Sequence, residues 1–252
     1  MAADRALTIH LIAPSGYPAD AAAVERGLAL LRAAGHKIVN TDCISRRDTR
    51  FAGTDAERAA ELNAIATLPD HVDLVLAVRG GYGLSRLLPQ LDLAAIAARI
   101  NATQLPVVGH SDFTALQLAL LGAGAPTLAG PMLAADFGAP APSAFMLDHF
   151  RRALSGANVV AVTDGEACAG GLSAPVNGTL WGGNLALVAS LVGTPWLPAV
   201  DGGILFLEDI GEHPYRIERM LIQLLQAGIL DRQQAIVLGD FRGYALTELD
   251  AG

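Results

Sequence analysis

Short apolar segments of strand type alternate with segments of helical apolar spacing over the first 130 residues. This alternation limits the fold more than any other feature, because strands that alternate with helices build βαβ units. The sequence therefore predicts an α/β fold with a doubly wound parallel sheet. The predicted strands are 7–13, 36–41, 73–78 and 107–108, and the predicted helical regions are 21–35, 54–67 and a segment beginning at 84.

The alternation weakens after Gly130, and a second domain is expected. A helix is predicted over 145–154, followed by a Gly- and Ala-rich stretch with short β-type pieces, among them 159–162. We place the boundary near 155–158, which gives domains 1–155 and 156–252. The second part is predicted to hold a helix reaching Leu191, a strand over 204–207, a helix over 216–226 and a strand over 235–238.

Charge and composition exclude several functions. A net charge of −8 argues against nucleic acid as a partner, since binding phosphates needs clustered Lys and Arg. The amino terminus lacks a signal-peptide pattern, and no window approaches the ~18 apolar residues of a membrane span, so a cytoplasmic protein is expected. Cys43 and Cys168 fit a reducing compartment or a single disulfide, and no spacing indicates a metal site. We expect no metal and no organic cofactor.

Three unusual loops follow predicted strands, at 14–16, 79–83 and 109–112. The carboxyl ends of parallel strands share one edge of a sheet, where ligands bind. We therefore expect the three loops to meet there.

Ser111 lies in the third loop, within Gly-His-Ser-Asp, between an apolar strand and a helix. A serine at such a turn can be a nucleophile whose oxyanion is stabilised by nearby N–H groups. A serine before an aspartate at a helix start is more often an N-cap. Both interpretations are open from this stretch alone, and the convergence of the loops favours the first.

The other candidate groups also have structural alternatives. The Arg-Gly-Gly-Tyr-Gly loop can supply N–H donors or form a plain tight turn. Glu208 can orient a histidine or pair with Arg216 or Arg219. His213 is the best base among the six histidines, because it lies in a loop near Glu208 and because the side chain of His110 should point away from that of Ser111.

Seven sequence blocks together resemble the bacterial LD-carboxypeptidases, serine peptidase family S66. They run in the family's order over essentially the whole chain: IHLIAPSGYP, RRDTRFAGTDAER, LAVRGGYGLSRLL, GHSDFTALQ, LAGPML, GTLWGGNLALVASLVGTPWLP and FLEDIGEHPYRIERMLIQLLQAGIL. The resemblance implies a hydrolase of peptidoglycan recycling. It would remove the terminal D-alanine from murein tetrapeptides, free or attached to anhydro-muramyl sugars. It also implies a smaller, β-rich, swivelling second domain and a possible homodimer.

The resemblance also implies roles for individual residues. The nucleophile would be Ser111, and Glu208 would be the acid that orients a catalytic histidine. The backbone N–H groups of Gly81 and Asp112 would form the oxyanion hole. Contacts to substrate are implied for Arg79, Tyr82, Trp181 and Asn184.

One departure from the family pattern concerns the base. The family places its catalytic histidine in a Gly-His block well after the acid, and no such block follows Glu208 here. Two explanations are open: the chain is a truncated form whose histidine lies beyond Gly252, or the protein is naturally this short. We favour truncation, and in both cases we expect this chain to be impaired. Two alternatives stay open: an immunity-type S66 peptidase acting on microcin-like acyl-adenylate conjugates, which should stack a base on an aromatic ring such as Trp181, and a non-catalytic binding module.

Overall fold

A computed structural model describes residues 5–156, 174–245 and 247. Two compact units make up the chain, Met1–Ala161 and Val162–Gly252. The β-type pieces predicted over 159–162, and Cys168, lie outside the described residues. Within the described ranges, no helix is both long and apolar enough to cross a membrane.

The first unit is built on a five-stranded sheet in the order β2-β1-β3-β4-β5, with every neighbouring pair parallel. This confirms the predicted parallel α/β fold. The two-residue strand β5 was not predicted. The strands are β1 Thr8–Ile12, β2 Lys37–Val39, β3 Leu74–Ala77, β4 Val107–Gly109 and β5 Leu128–Ala129.

Helices connect these strands, and their ends follow local sequence signals. The helix that follows Thr54 begins with a capping box of the Thr-x-x-Glu type: Thr54 Oγ1 accepts from Glu57 N–H, and the Glu57 carboxylate accepts from Thr54 N–H. The segment from 84, predicted to begin a helical region, forms two 3₁₀ turns before the next α-helix. The helices are α1 Ala21–Ala33, α2 Asp55–Asn63, α3 Leu93–Thr103, α4 Thr114–Gly122 and α5 Ala144–Leu154.

The core of this unit lies along its central strands. All four residues of β3 are fully buried, as expected for a parallel strand covered on both faces. Val24, Leu28 and Leu31, the apolar residues of α1 spaced as one helical face, pack into the same cluster. The central strands and α1 therefore share one apolar core.

The second unit contains a separate small sheet in the order β6-β7-β8, again parallel. The strand predicted to stop at Leu207 continues to Ile210, with a register irregularity between Leu207 and Asp209. Glu208 therefore lies inside the strand, opposite Asn184, and not beyond its end. The elements are β6 Leu180–Asn184, α6 Leu185–Ser190, β7 Ile204–Ile210, α7 Pro214–Gln226 and β8 Ala235–Arg242.

Candidate active site

The order of the first sheet reverses between β1 and β3, which is the position where open α/β sheets bind ligands. The three loops expected there are in contact. Arg79 Nη1 donates to Tyr17 O at 3.1 Å, which links the second loop to the residue directly after the first. The third loop contacts the second where Ser111 packs against Gly80.

Ser111 has a left-handed backbone, with φ of +61°. It follows β4 and begins a single 3₁₀ turn that leads into α4. Neither helix start carries a side-chain capping bond, and Ser111 Oγ makes no hydrogen bond within the described part of the chain. The N-cap interpretation therefore does not describe this serine. A serine held at positive φ between a strand and a helix has the geometry of a nucleophile turn.

Gly80 and Gly81 complete the surroundings of this hydroxyl. A Cβ on Gly80 would lie 3.2 Å from Ser111 Cβ and 3.4 Å from its Oγ, so a side chain there would displace the serine. Gly81 has φ of +104°, and its N–H donates no hydrogen bond within the described residues. An unused backbone donor next to a serine hydroxyl is what stabilisation of an oxyanion requires.

His110 contacts a carboxylate and makes no hydrogen bond to Ser111 within the described residues. Its Nε2 lies 2.9 Å from Asp136 Oδ2, which also accepts from Met132 N–H at 2.8 Å. Burial alone would raise the pKa of Asp136, but the hydrogen bonds from His110 and Met132 and the His110 charge outweigh it and lower that pKa. His110 directly follows β4 and precedes Ser111 by one residue. Its pair with Asp136 therefore connects the end of β4 to the π-helical turn Leu133–Phe137.

Arg58 of α2 is fully buried beneath the first two loops. Its guanidinium donates to Pro14 O at 2.7 Å, Gly53 O at 3.2 Å and Gly83 O at 3.3 Å, and it pairs with Asp55. The same group lies 4.4 Å from the centre of the Phe51 ring. One side chain thus joins the loop after β1 to the glycine-rich loop after β3.

Arg79 and Tyr82 occupy the same glycine-rich loop. Arg79 is half-buried and donates from Nε to Gly80 O at 3.0 Å. Tyr82 is 56% exposed, with its ring centre 6.0 Å from that of Phe51. Both of these predicted substrate contacts therefore lie on the loop that touches Ser111.

The candidate residues of the second unit form a network of their own. Trp181 is only 5% exposed, and its Nε1 donates to Gln233 Oε1 at 2.8 Å. Asn184 is buried, caps α6 through Leu187 N–H and donates to Asp209 Oδ1 at 3.0 Å. Both side chains thus support the packing around β6. Glu208 is half-buried on β7.

Three other histidines make contacts within their own surroundings. His213 precedes α7 and stacks on Tyr215, with 5.6 Å between ring centres. His36 Nδ1 accepts from Leu7 N–H at 3.2 Å, and burial lowers the pKa of this imidazole. His149 contacts Phe145 O within α5. Among the described side chains, no group of three His, Cys, Asp or Glu residues is arranged to hold a metal.

Comparison with known families then decides the relationship. The family model for the LD-carboxypeptidase N-terminal domain matches residues 9–130, and the model for the LD-carboxypeptidase C-terminal domain matches residues 177–250. The chain belongs to the LD-carboxypeptidase family. It is therefore a member of a peptidase family, and the resemblance of the sequence blocks is confirmed.

Individual relatives agree with this assignment. A putative carboxypeptidase of Streptomyces coelicolor is 40% identical over 92% of this chain and 74% of its own length. The crystal structure of a muramoyltetrapeptide carboxypeptidase from Oxalobacter formigenes superposes with a TM-score of 0.84, 42% identity, and coverage of 97% of this chain and 80% of that one. The microcin C7 self-immunity protein, solved with glutamyl sulfamoyl guanosine, gives a TM-score of 0.80 at 26% identity, covering 95% and 79%.

The structural roles of Arg58 and Asp136 were missed by sequence reasoning. Asp55 and Arg58 are three residues apart in a helix. In the sequence this spacing predicts an ordinary surface ion pair, and it gives no sign that the Arg58 side chain is buried. For Asp136, the sequence predicted no partner. Its partner, the histidine of the Gly-His-Ser-Asp block, is 26 residues earlier in the chain, so the sequence gives no local signal for the pair.

Proposed function

We propose that this chain is a serine carboxypeptidase. It would hydrolyse the bond between meso-diaminopimelate and the terminal D-alanine of murein tetrapeptides in peptidoglycan recycling. The observation that carries the proposal is Ser111, with its left-handed φ of +61° and its hydroxyl against Gly80. The name of the Oxalobacter relative supports the substrate class.

The reaction would proceed through an acyl-enzyme. Ser111 Oγ attacks the carbonyl carbon that precedes D-alanine, while a histidine base accepts the hydroxyl proton. The N–H groups of Gly81 and Asp112 bind the oxyanion that develops on the carbonyl oxygen. The base gives its proton to the departing D-alanine nitrogen. A water molecule, deprotonated by the same base, then attacks the acyl carbon, and the proton passes to Ser111 Oγ as the peptide acid is released.

The other residues would act in supporting roles. Glu208, on β7, is proposed as the carboxylate that orients the base. Trp181 and Asn184 are proposed to shape the substrate site through the packing that they support around β6. Tyr82 is proposed to contact the peptide directly, since more than half of its surface is exposed.

Release of D-alanine from purified murein tetrapeptide tests this function. In an enzyme form that includes its catalytic histidine, Ser111→Ala should reduce kcat by about 10⁴- to 10⁶-fold while the melting temperature is retained. Labelling by a serine-reactive probe should map to Ser111 in the unmodified protein and vanish in the variant. Turnover by Ser111→Ala at a rate near that of the unmodified protein would contradict the assignment of the nucleophile.

The base can be tested in the same assay. His213→Ala removes the loop-borne imidazole that stacks on Tyr215. If His213 is the base, its loss should cost nearly as much as the loss of Ser111, because members of a catalytic set act as a unit. If His213→Ala retains the turnover of the unmodified protein, the base is another histidine.

A second candidate function comes from the immunity-type branch of the family. Tyr82 presents an exposed aromatic ring on the glycine-rich loop, where a purine could stack. An acyl-sulfamoyl nucleoside and murein tetrapeptide should therefore be compared as substrates. A higher kcat/KM for the nucleoside conjugate would favour this candidate, and Tyr82→Ala should then reduce turnover of that conjugate selectively. If neither substrate is cleaved but murein tetrapeptide binds, the non-catalytic binding module is favoured.

A further inference from the structure

Arg79 is held in a fixed orientation beside the candidate nucleophile. Its Nε donates to Gly80 O at 3.0 Å and its Nη1 to Tyr17 O at 3.1 Å. The guanidinium lies between two glycines: a Cβ on Gly16 would be 3.6 Å from Cζ, and a Cβ on Gly81 would be 3.1 Å from Nη2. A planar group fixed at two nitrogens keeps one edge in a defined direction.

Arg79 forms no ion pair with a carboxylate among the residues that the structure describes. Other arginines of this unit pair with carboxylates, as Arg46 does with Glu61 and Arg99 with Asp70. Within the ranges that the structure describes, Arg79 has only carbonyl oxygens as partners and no carboxylate. Three of its five N–H groups, including both on Nη2, make no hydrogen bond there. A half-buried guanidinium with free donors is suited to bind an anion.

Arg79 and Ser111 lie against adjacent residues of the glycine-rich loop. Ser111 packs against Gly80, whereas the Arg79 guanidinium packs against Gly81. Adjacent Cα atoms are about 3.8 Å apart. In a peptide substrate, the carbonyl carbon that is attacked and the carboxylate carbon also belong to consecutive residues. The two positions on the loop and the two groups of the substrate are thus comparable in separation.

We propose that Arg79 binds the free α-carboxylate of the residue that is released. This inference rests on the proposed function and deepens it, because it gives a reason for cleavage at the carboxyl end of a chain. A peptide that continued past the scissile bond would bring a neutral amide to Arg79 in place of a carboxylate. Specificity for the last residue would thus reside in one guanidinium.

Two murein tetrapeptides test the proposal, one with a free D-alanine carboxylate and one with a D-alanine amide. The unmodified protein should cleave the acid with a kcat/KM about 30- to 100-fold higher, which is the range of a charge-assisted hydrogen bond. Arg79→Met should remove most of this preference by raising KM for the acid, with little change for the amide. Arg79→Lys, which keeps the charge without the planar fork, should retain part of it.

Arg32→Met is the matched control. Arg32 is exposed in the last turn of α1, and because that helix returns from the carboxyl end of β1, its last turn lies toward the opposite edge of the sheet. The control should leave the acid-to-amide ratio unchanged. An unchanged ratio in both Arg79 variants would overturn the proposal while leaving the peptidase function in place.

Affinity measurements separate this proposal from the function on which it rests. In Ser111→Ala, calorimetry should show the acid peptide binding more tightly than the amide, and Arg79→Met added to that background should abolish the difference. If the unmodified protein cleaves neither peptide, the peptidase function fails, and the affinities still decide the role of Arg79. Equal affinity for acid and amide, or no binding of either, overturns the proposal.

Discussion

Gly80 and Ser111 are packed so closely that a single methyl group would separate them, with a Cβ on Gly80 reaching 3.2 Å from the serine Cβ and 3.3 Å from His110 O. The glycine-rich loop and the serine turn are thus fitted to each other. Position 80 therefore controls where the candidate nucleophile lies.

Gly80→Ala should reduce kcat/KM by about 100-fold, because a displacement of the nucleophile by less than an ångström is costly to attack. Overpacking should lower the free energy of unfolding by about 1–3 kcal/mol. Gly16→Ala is a matched comparison, since its Cβ would meet Arg50 O at 3.4 Å, an ordinary contact, and its effect should be smaller. Steady-state kinetics and urea unfolding of both variants check this, and equal losses would contradict it.

Ser111 should be a residue at which stability and activity oppose each other. Its φ of +61° is unfavourable for a side chain and favourable for glycine. Ser111→Gly should therefore unfold with a free energy about 1 kcal/mol higher than Ser111→Ala, although both variants lack the hydroxyl and should be inactive. Denaturant titration of the pair measures the difference. A more stable alanine variant would show that the turn relaxes in solution.

Arg58 should be essential for the stability of the first unit. Arg58→Met would leave the oxygens of Pro14, Gly53 and Gly83 without their donor, at a cost of about 3 kcal/mol or more. Arg86→Met is the control, because Arg86 also pairs with Asp55 but is exposed, and its loss should cost less than about 1 kcal/mol. Similar unfolding free energies for the two variants would contradict the role of Arg58 as a clamp between loops.

His36 should make stability depend on pH. Burial lowers the pKa of His36 in the folded state. As the pH falls below the ordinary pKa of 6.5, the unfolded chain therefore binds more protons than the folded chain does. The stabilising contribution is therefore present above that value and is lost on acidification through the folded pKa. His36→Asn keeps an acceptor for Leu7 N–H but does not titrate. Its unfolding free energy should fall less between pH 7.5 and pH 5 than that of the unmodified protein; an equal fall would exclude His36.

The sequence predicted those parts of the fold that depend on local pattern. The apolar runs located β1, β3 and β4, and the capping box at Thr54 located the start of α2. Strand β6 was missed because it contains Gly182 and Gly183, residues that are depleted in strands. The end of β7 was misplaced because the irregularity near Glu208 depends on pairing with β8.

The candidate site could be predicted only in part. Ser111 and the glycine-rich loop stand out in the sequence because they follow apolar strands. The contacts of Arg58 and the pair of His110 with Asp136 do not stand out in the sequence. The partners are 25 to 44 residues away in the chain, and those of Arg58 in these contacts are backbone oxygens, which any residue type could supply. Contacts of this kind depend on tertiary folding, and no periodicity indicates them.

The strand order β2-β1-β3-β4-β5 has a consequence for folding kinetics. The loops around Ser111 come from strand ends far apart in the chain, so the candidate site does not exist until three parallel strands have paired. Parallel pairing between strands far apart in the chain is slow, because the entropy of loop closure is lost before the stabilising contacts between the strands form. Enzyme activity regained during refolding should therefore appear only with completion of the sheet, later than helix formation seen by far-ultraviolet circular dichroism.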